Sequence, residues 1–163
     1  MEIPDFGALL RPYISQVPDV ARPRFLALLE RGAAERYRHW AGLLPDHADT
    51  LAVCAAAEDE IADRVEAMFA LDPALSAELT APLPAATATY YDVFAGMEVW
   101  DQLRVQAGAE RQGARAWRSI AAVHPDPAVC DGLEACSRLE EASADRLDVL
   151  IATYATGSRR GGS

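Results

Sequence analysis

The chain has 163 residues, half of them apolar, and a formal net charge of −10. That length and composition fit one globular domain able to bury a real core, and argue against a disordered chain. The charge argues against nucleic acid, whose phosphates need clustered cations. All fifteen cations are arginine, which reads as genomic coding bias.

The N-terminus, "MEIPDFGALL", lacks the basic region and long apolar run of a secretory signal. No stretch approaches the roughly 20 uninterrupted apolar residues of a membrane span. The expectation is a cytoplasmic protein that contacts neither membrane nor nucleic acid. Periodicity is helical almost throughout, with no run of alternating strand pattern. Residues 1–20 form a lead-in with a short helix over 6–10 that stops around Pro12. A long helix follows over 21–44, with Asp19 near its start, Pro23 in its first turn and Pro45 ending it. The second helix runs over 50–70. "LDPALSAELTAPLPAATAT" has three prolines and is too long for a tight turn. It is the right size to travel the length of a bundle. The third helix covers 90–123, opened by Tyr90 and Tyr91, which pack on the crossover. Asp126 and Pro127 supply an N-cap and N1 proline for the fourth, which ends near Thr156. "GSRRGGS", 157–163, reads as a flexible tail. Four long helices, two short turns and one crossover over 21–156 describe an all-α four-helix bundle.

The two halves, 21–70 and 90–156, resemble each other. "ERGAAERYRHWAGLLPD" at 30–46 aligns with "ERQGARAWRSIAAVHPD" at 110–126, and "LAVCAAAEDEIADR" at 51–64 with "LEACSRLEEASADR" at 133–146. Matched pairs include Glu30 with Glu110, Glu58 with Glu140, Cys54 with Cys136, and Tyr37 with Trp117. The offset changes inside the turn, where insertions are tolerated. A duplicated αα-hairpin is the expected origin.

Projected at i±3, i±4 and i±7, each of these glutamates falls within its helix's apolar stripe. Glu30 lies in line with Ala27, Ala34 and Tyr37, and Glu58 with Cys54, Ile61 and Val65. Glu110 lies in line with Ala107, Gly113 and Trp117, and Glu140 with Leu133, Ala144 and Leu147. Grouped buried carboxylates raise one another's pKa values and need compensation. A cation, arginines, shared protons or a cavity could supply it. The candidate arginines, Arg31, Arg64, Arg111 and Arg146, lie off the stripes, so pairing would have to cross between helices.

One glutamate from each of two helices, plus Glu-x-x-His from each of the other two, is the ligand set of ferritin-like di-iron carboxylate proteins. In helix order, crossover, hairpin repeat and four glutamates, this chain resembles the ferritin-like superfamily of rubrerythrin and di-iron carboxylate type. The resemblance implies a ferritin-like bundle with Glu30, Glu58, Glu110 and Glu140 as metal ligands. Both histidines are missing, since Ile61 and Ser143 stand in their places. His47 and His124 lie in the hairpin turns, as solvated residues, and His39 is on the order of 13 Å along the axis from Glu30. A carboxylate-only site suits Mg²⁺, Ca²⁺ or Mn²⁺ better than iron. Cys54, Cys130 and Cys136 read as free thiols, and Tyr37, Trp40, Trp100 and Trp117 as core aromatics.

Two functions follow. The favoured one is a non-catalytic module for binding, accessory or assembly roles, with a degenerate di-metal site and no cofactor. It would meet a protein partner or a second copy through a bundle face. The alternative is a metal-binding protein, an oxidase, oxygenase or metal handler, using the four glutamates as ligands for a divalent metal. A fold alone does not decide between them.

Overall fold

A computed structural model of the chain describes residues 2–160, with side chains as far as Thr156. The described residues are helical and turn, and they contain no strand. The elements are α1 (Phe6–Ile14), α2 (Arg22–Leu43), α3 (Ala48–Met68), α4 (Ser76–Thr80), α5 (Leu83–Asp92), α6 (Val99–Ala121) and α7 (Pro127–Arg160). Short 3₁₀ turns at Asp19–Ala21, Pro45–His47 and Pro73–Leu75 lead into α2, α3 and α4. No described helix is long and apolar enough to cross a membrane.

Several expected boundaries move, each for a local reason. α1 continues through Pro12, which lies in its last turn, and Asp5 caps its start by accepting from Ala8 N. The crossover is not bare connection but carries α4 and α5, and Tyr90 and Tyr91 belong to α5. The third long helix therefore starts at Val99 rather than 90. Gly96, at φ 74°, lies in the left-handed region that ends helices and breaks the chain between α5 and α6. Asp126 does cap α7, accepting from Ala128 N at 2.8 Å. The expected flexible tail is helical in backbone as far as Arg160, and 161–163 lie outside the described residues.

The long helices pair as two hairpins, α2 with α3 and α6 with α7, and the hairpins pack mainly through α3 against α7. Two apolar clusters sit at different levels along these helices. One gathers Tyr37, Trp40, Leu51, Cys54, Phe94, Leu103 and Leu147. The other gathers Ala27, Ile61, Val65, Trp117, Leu133 and Cys136. Each fully buried large apolar side chain among them contributes on the order of 2–3 kcal/mol. On each of the four long helices, one glutamate (Glu30, Glu58, Glu110 or Glu140) falls between residues of the first cluster and residues of the second. The apolar core is thus interrupted by one acidic layer.

On the remaining side, α2 and α6 make few close contacts, while α1 and α5 pack against each other there. Phe6 N and Pro4 O both bond the Gln112 side chain on α6. Tyr13 OH bonds Thr89 Oγ1, and Tyr91 OH donates to Gly32 O. These links hold the N-terminal segment and α5 over the gap.

Candidate functional site

Four helices each bring one glutamate to the acidic layer. Glu58 of α3 is fully buried, and Glu110 of α6 and Glu140 of α7 are each 2% exposed. Glu30 of α2 is half-buried. One carboxylate oxygen from each of Glu30, Glu58 and Glu140 lies within 4.8 Å of the other two. Glu110 stands outside that trio.

The four differ in their partners. Glu110 Oε1 accepts from Tyr37 OH at 2.7 Å and from Gln106 Nε2 at 2.6 Å. Gln106 Oε1 accepts in turn from Tyr90 OH at 2.7 Å. Trp117 Nε1 donates to Glu140 Oε1 at 3.0 Å. Glu110 Oε2 and both oxygens of Glu58 are buried with no donor. Each such orphaned acceptor costs on the order of 1–3 kcal/mol, and more for a charged group.

Glu140 also depends on a glycine. A Cβ at Gly113 would stand 2.5 Å from Glu140 Oε1 and 2.8 Å from its Cδ. Glycine inside a helix costs about 1 kcal/mol relative to alanine. What it supplies on α6 is room for the carboxyl group of α7.

Burial and mutual repulsion push these acids up. Glu30 rises from its ordinary 4.5 to about 8, first through desolvation and then through Glu110, with Glu58 and Trp117 partly offsetting the rise. Glu58 and Glu140 are held well above the ordinary carboxylate range, by desolvation first and the neighbouring glutamates second. The same surroundings push the Cys54 thiol to about 11, again through desolvation first and Glu110 second. Cys136 also rises to about 11, with desolvation the leading cause. Both are buried, Cys130 is half-buried, and all three are free thiols.

None of the four arginines considered provides the compensation for the quartet. Arg31 crosses from α2 to Asp59, Asp63 and Glu66 of α3, Arg64 pairs with Glu60, and Arg111 reaches Asp145 and Asp148 of α7. Arg146 is exposed. The reason is angular. These arginines follow their glutamates by one or six residues, which places them roughly 100–120° around the helix and on the outer face.

The positions where the ferritin-like resemblance would place histidines hold groups that cannot replace imidazole. Ile61 is fully buried in the apolar cluster below the acidic layer, and Ser143 is fully buried with its hydroxyl unpartnered. His39 is exposed on α2. His47 and His124 are not simply solvated: each is half-buried, edge-on to Trp100 and Phe69 at 5.5 and 5.7 Å between ring centroids. His124 Nδ1 also accepts from Asp126 N. The donor set therefore fits a hard cation that prefers oxygen, and does not fit the histidine-bearing iron pair.

A crevice of about 610 Å³ opens between α2 and α6, beneath α1 and α5, and Glu30, Glu110 and Glu140 are among its lining residues. Nothing in the one-dimensional pattern marked Tyr90 as a partner of the acidic layer, because its contact with Gln106 depends on how α5 and α6 meet. Gln106 did carry one legible signal, its place one turn before Glu110 on the same face. Gly113 carried another, as a glycine in line with Glu110 in a helix whose second half is rich in alanine. No protein-family model matches the chain, and neither does any curated protein or solved structure.

Proposed function

We propose that the chain is a ferritin-like four-helix bundle, built from two related hairpins, that holds a hard divalent cation on Glu30, Glu58 and Glu140. Glu110 borders this site as a further acceptor. The cation serves binding or assembly rather than oxidative chemistry, since Ile61 and Ser143 remove the imidazoles on which oxygen activation in such bundles relies.

The Glu58 carboxylate carries this reading. It is fully buried, receives no donor on either oxygen, and has carboxylate oxygens of Glu30 and Glu140 within 4.8 Å. Oxygen ligands in that number suit Mg²⁺, Ca²⁺ or Mn²⁺. Metal binding requires deprotonated ligands, so affinity rises with pH as the raised acids ionise.

Titration of untagged protein with Mn²⁺ at pH 8, followed by electron paramagnetic resonance, tests the proposal. Stoichiometric binding is expected in the wild type, with affinity at least 100-fold lower in Glu58→Ala/Glu140→Ala. Absence of Mn²⁺ binding, together with a double variant more stable than the wild type, overturns it.

That second outcome supports a metal-free module whose carboxyl groups share protons. Tyr37, Gln106 and Trp117 favour this reading, because they give neutral donors to two of the four glutamates.

A further inference from the structure

The crevice has far more room than a cation needs, and its volume falls in the range that encloses small organic ligands. Its walls change character along the helices. Leu26 lies one turn before Glu30 on α2, and Ala116 lies six residues past Glu110 on α6, roughly 9 Å at the helical rise. Leu26 and Trp117 there belong with the apolar cluster below the acidic layer. Leu10 and Ile14 of α1 and Leu29 of α2 continue the apolar wall. This end has a mouth, because Ala116 and Ser119 line the crevice and are also exposed to solvent.

Most polar side chains of the lining already have partners. Asp5 accepts from Ala8 N, Tyr90 OH donates to Gln106 Oε1, and Gln106 Nε2 donates to Glu110. Gln112 accepts from Phe6 N and donates to Pro4 O, while Ser119 Oγ donates to Arg115 O. A strongly polar ligand would have to compete with these bonds, and a polar group left unpaired under cover is costly. An apolar ligand disturbs none of them and releases water from the walls.

Charge does not favour an ionic ligand either. Arg115 lines the crevice but is exposed at its rim, where an ion pair contributes little. An uncharged molecule interacts weakly with the acidic layer, whether that layer holds protons or a cation.

We propose that the crevice binds an uncharged apolar molecule, lodged between α2 and α6 beneath α1, on the Leu26 and Trp117 side of the acidic layer. The inference goes beyond the cation reading and does not rest on it, because no carboxylate takes part.

Fluorescence titration of EDTA-treated protein with N-phenyl-1-naphthylamine, a neutral apolar probe, tests it. Saturable binding of one probe per chain is expected. Displacement by 1-methylnaphthalene is expected at concentrations at least tenfold lower than by 1-naphthaleneacetate or 1-naphthylmethylamine, which add a negative or a positive charge to the same rings. Ala116→Phe fills the mouth from an exposed position and is expected to weaken probe binding about tenfold or more. Leu29→Asn, on the facing helix, replaces apolar wall with an amide and is expected to do the same. It decides the matter if Ala116→Phe does not fold. Fluorescence that never saturates, equal displacement by either charged analogue, or unchanged probe affinity in the folded variants overturns the proposal. Because metal is absent throughout, these outcomes are independent of the Mn²⁺ titration, whose failure counts only against the cation.

Discussion

The two hairpins treat the same residue differently. In α6/α7, Glu110 accepts from Tyr37 and Gln106, and Glu140 accepts from Trp117 and rests in the space left by Gly113. In α2/α3, Glu58 is buried with no donor at all, and Glu30 is half-buried beside the crevice. Positions that align between the two hairpins in sequence are therefore unlike sites. The α6/α7 carboxyl groups are partly satisfied by neutral donors, whereas neither oxygen of Glu58 has one. The burden of compensation falls on the α2/α3 side, and that is where a cation gains most.

The largest expected effect is on pH dependence. A carboxyl group whose folded pKa is raised binds its proton more tightly in the folded state. The stability this contributes is fully present below the ordinary carboxylate range and is lost as pH rises through the folded value. For Glu30 that window runs from about 4.5 to about 8. Glu58 and Glu140 shift in the same direction and extend the loss toward higher pH. EDTA-treated protein is thus expected to melt roughly 10 °C lower at pH 8.5 than at pH 5.5. Saturating Mn²⁺ is expected to recover most of that difference at pH 8.5, by mass action on the folded state. Differential scanning calorimetry at both pH values checks this. A melting temperature independent of pH without metal breaks the contrast between the hairpins, because it means Glu58 is satisfied after all.

This comparison also marks what was legible in the sequence. The helical period was enough to place Glu58, Glu110 and Glu140 inside, because a buried stripe repeats every three or four residues and a carboxylate within it stands out. The same period could not show that α5 is a separate helix, since residues on either side of Gly96 continue an apolar pattern that only a positive φ interrupts. The crevice was hidden for a different reason. It exists because α1 and α5 span a gap between α2 and α6, and contacts such as Phe6 with Gln112 join residues 106 positions apart. Arginine pairing was weighed without knowing which outer-face acids would compete for it. Asp63 and Glu66 on α3 and Asp148 on α7 take that role.

A smaller effect is expected at Gly113. Alanine there raises helix propensity by about 1 kcal/mol. Its methyl group, however, would occupy the space of the Glu140 carboxyl group, which is not the loose end of a surface side chain but a member of the trio. The two consequences separate in measurement. Gly113→Ala is expected to lower Mn²⁺ affinity about tenfold while leaving the metal-free melting temperature within a few degrees of the wild type. Unchanged affinity means that Glu140 can move aside without cost, and that its place against α6 is not what completes the trio.

The smallest effect belongs to Arg31, and it sharpens the contrast from outside. Arg31 is adjacent to Glu30 in sequence yet bonds Asp63 and Glu66 across the α2/α3 surface, at 2.8 and 3.0 Å. Its side chain is more than one-third exposed, and pairs of that kind contribute about 0–1 kcal/mol each. Arg31→Gln is therefore expected to destabilise the hairpin by at most about 1 kcal/mol, with a cost that shrinks in high salt. It should leave Mn²⁺ affinity within twofold of the wild type. A larger drop in stability, together with a rise in Mn²⁺ affinity, means that the guanidinium neutralises Glu30 and competes with the cation. The acidic layer would then be balanced from the protein surface, and the two hairpins would differ less than their hydrogen bonds indicate.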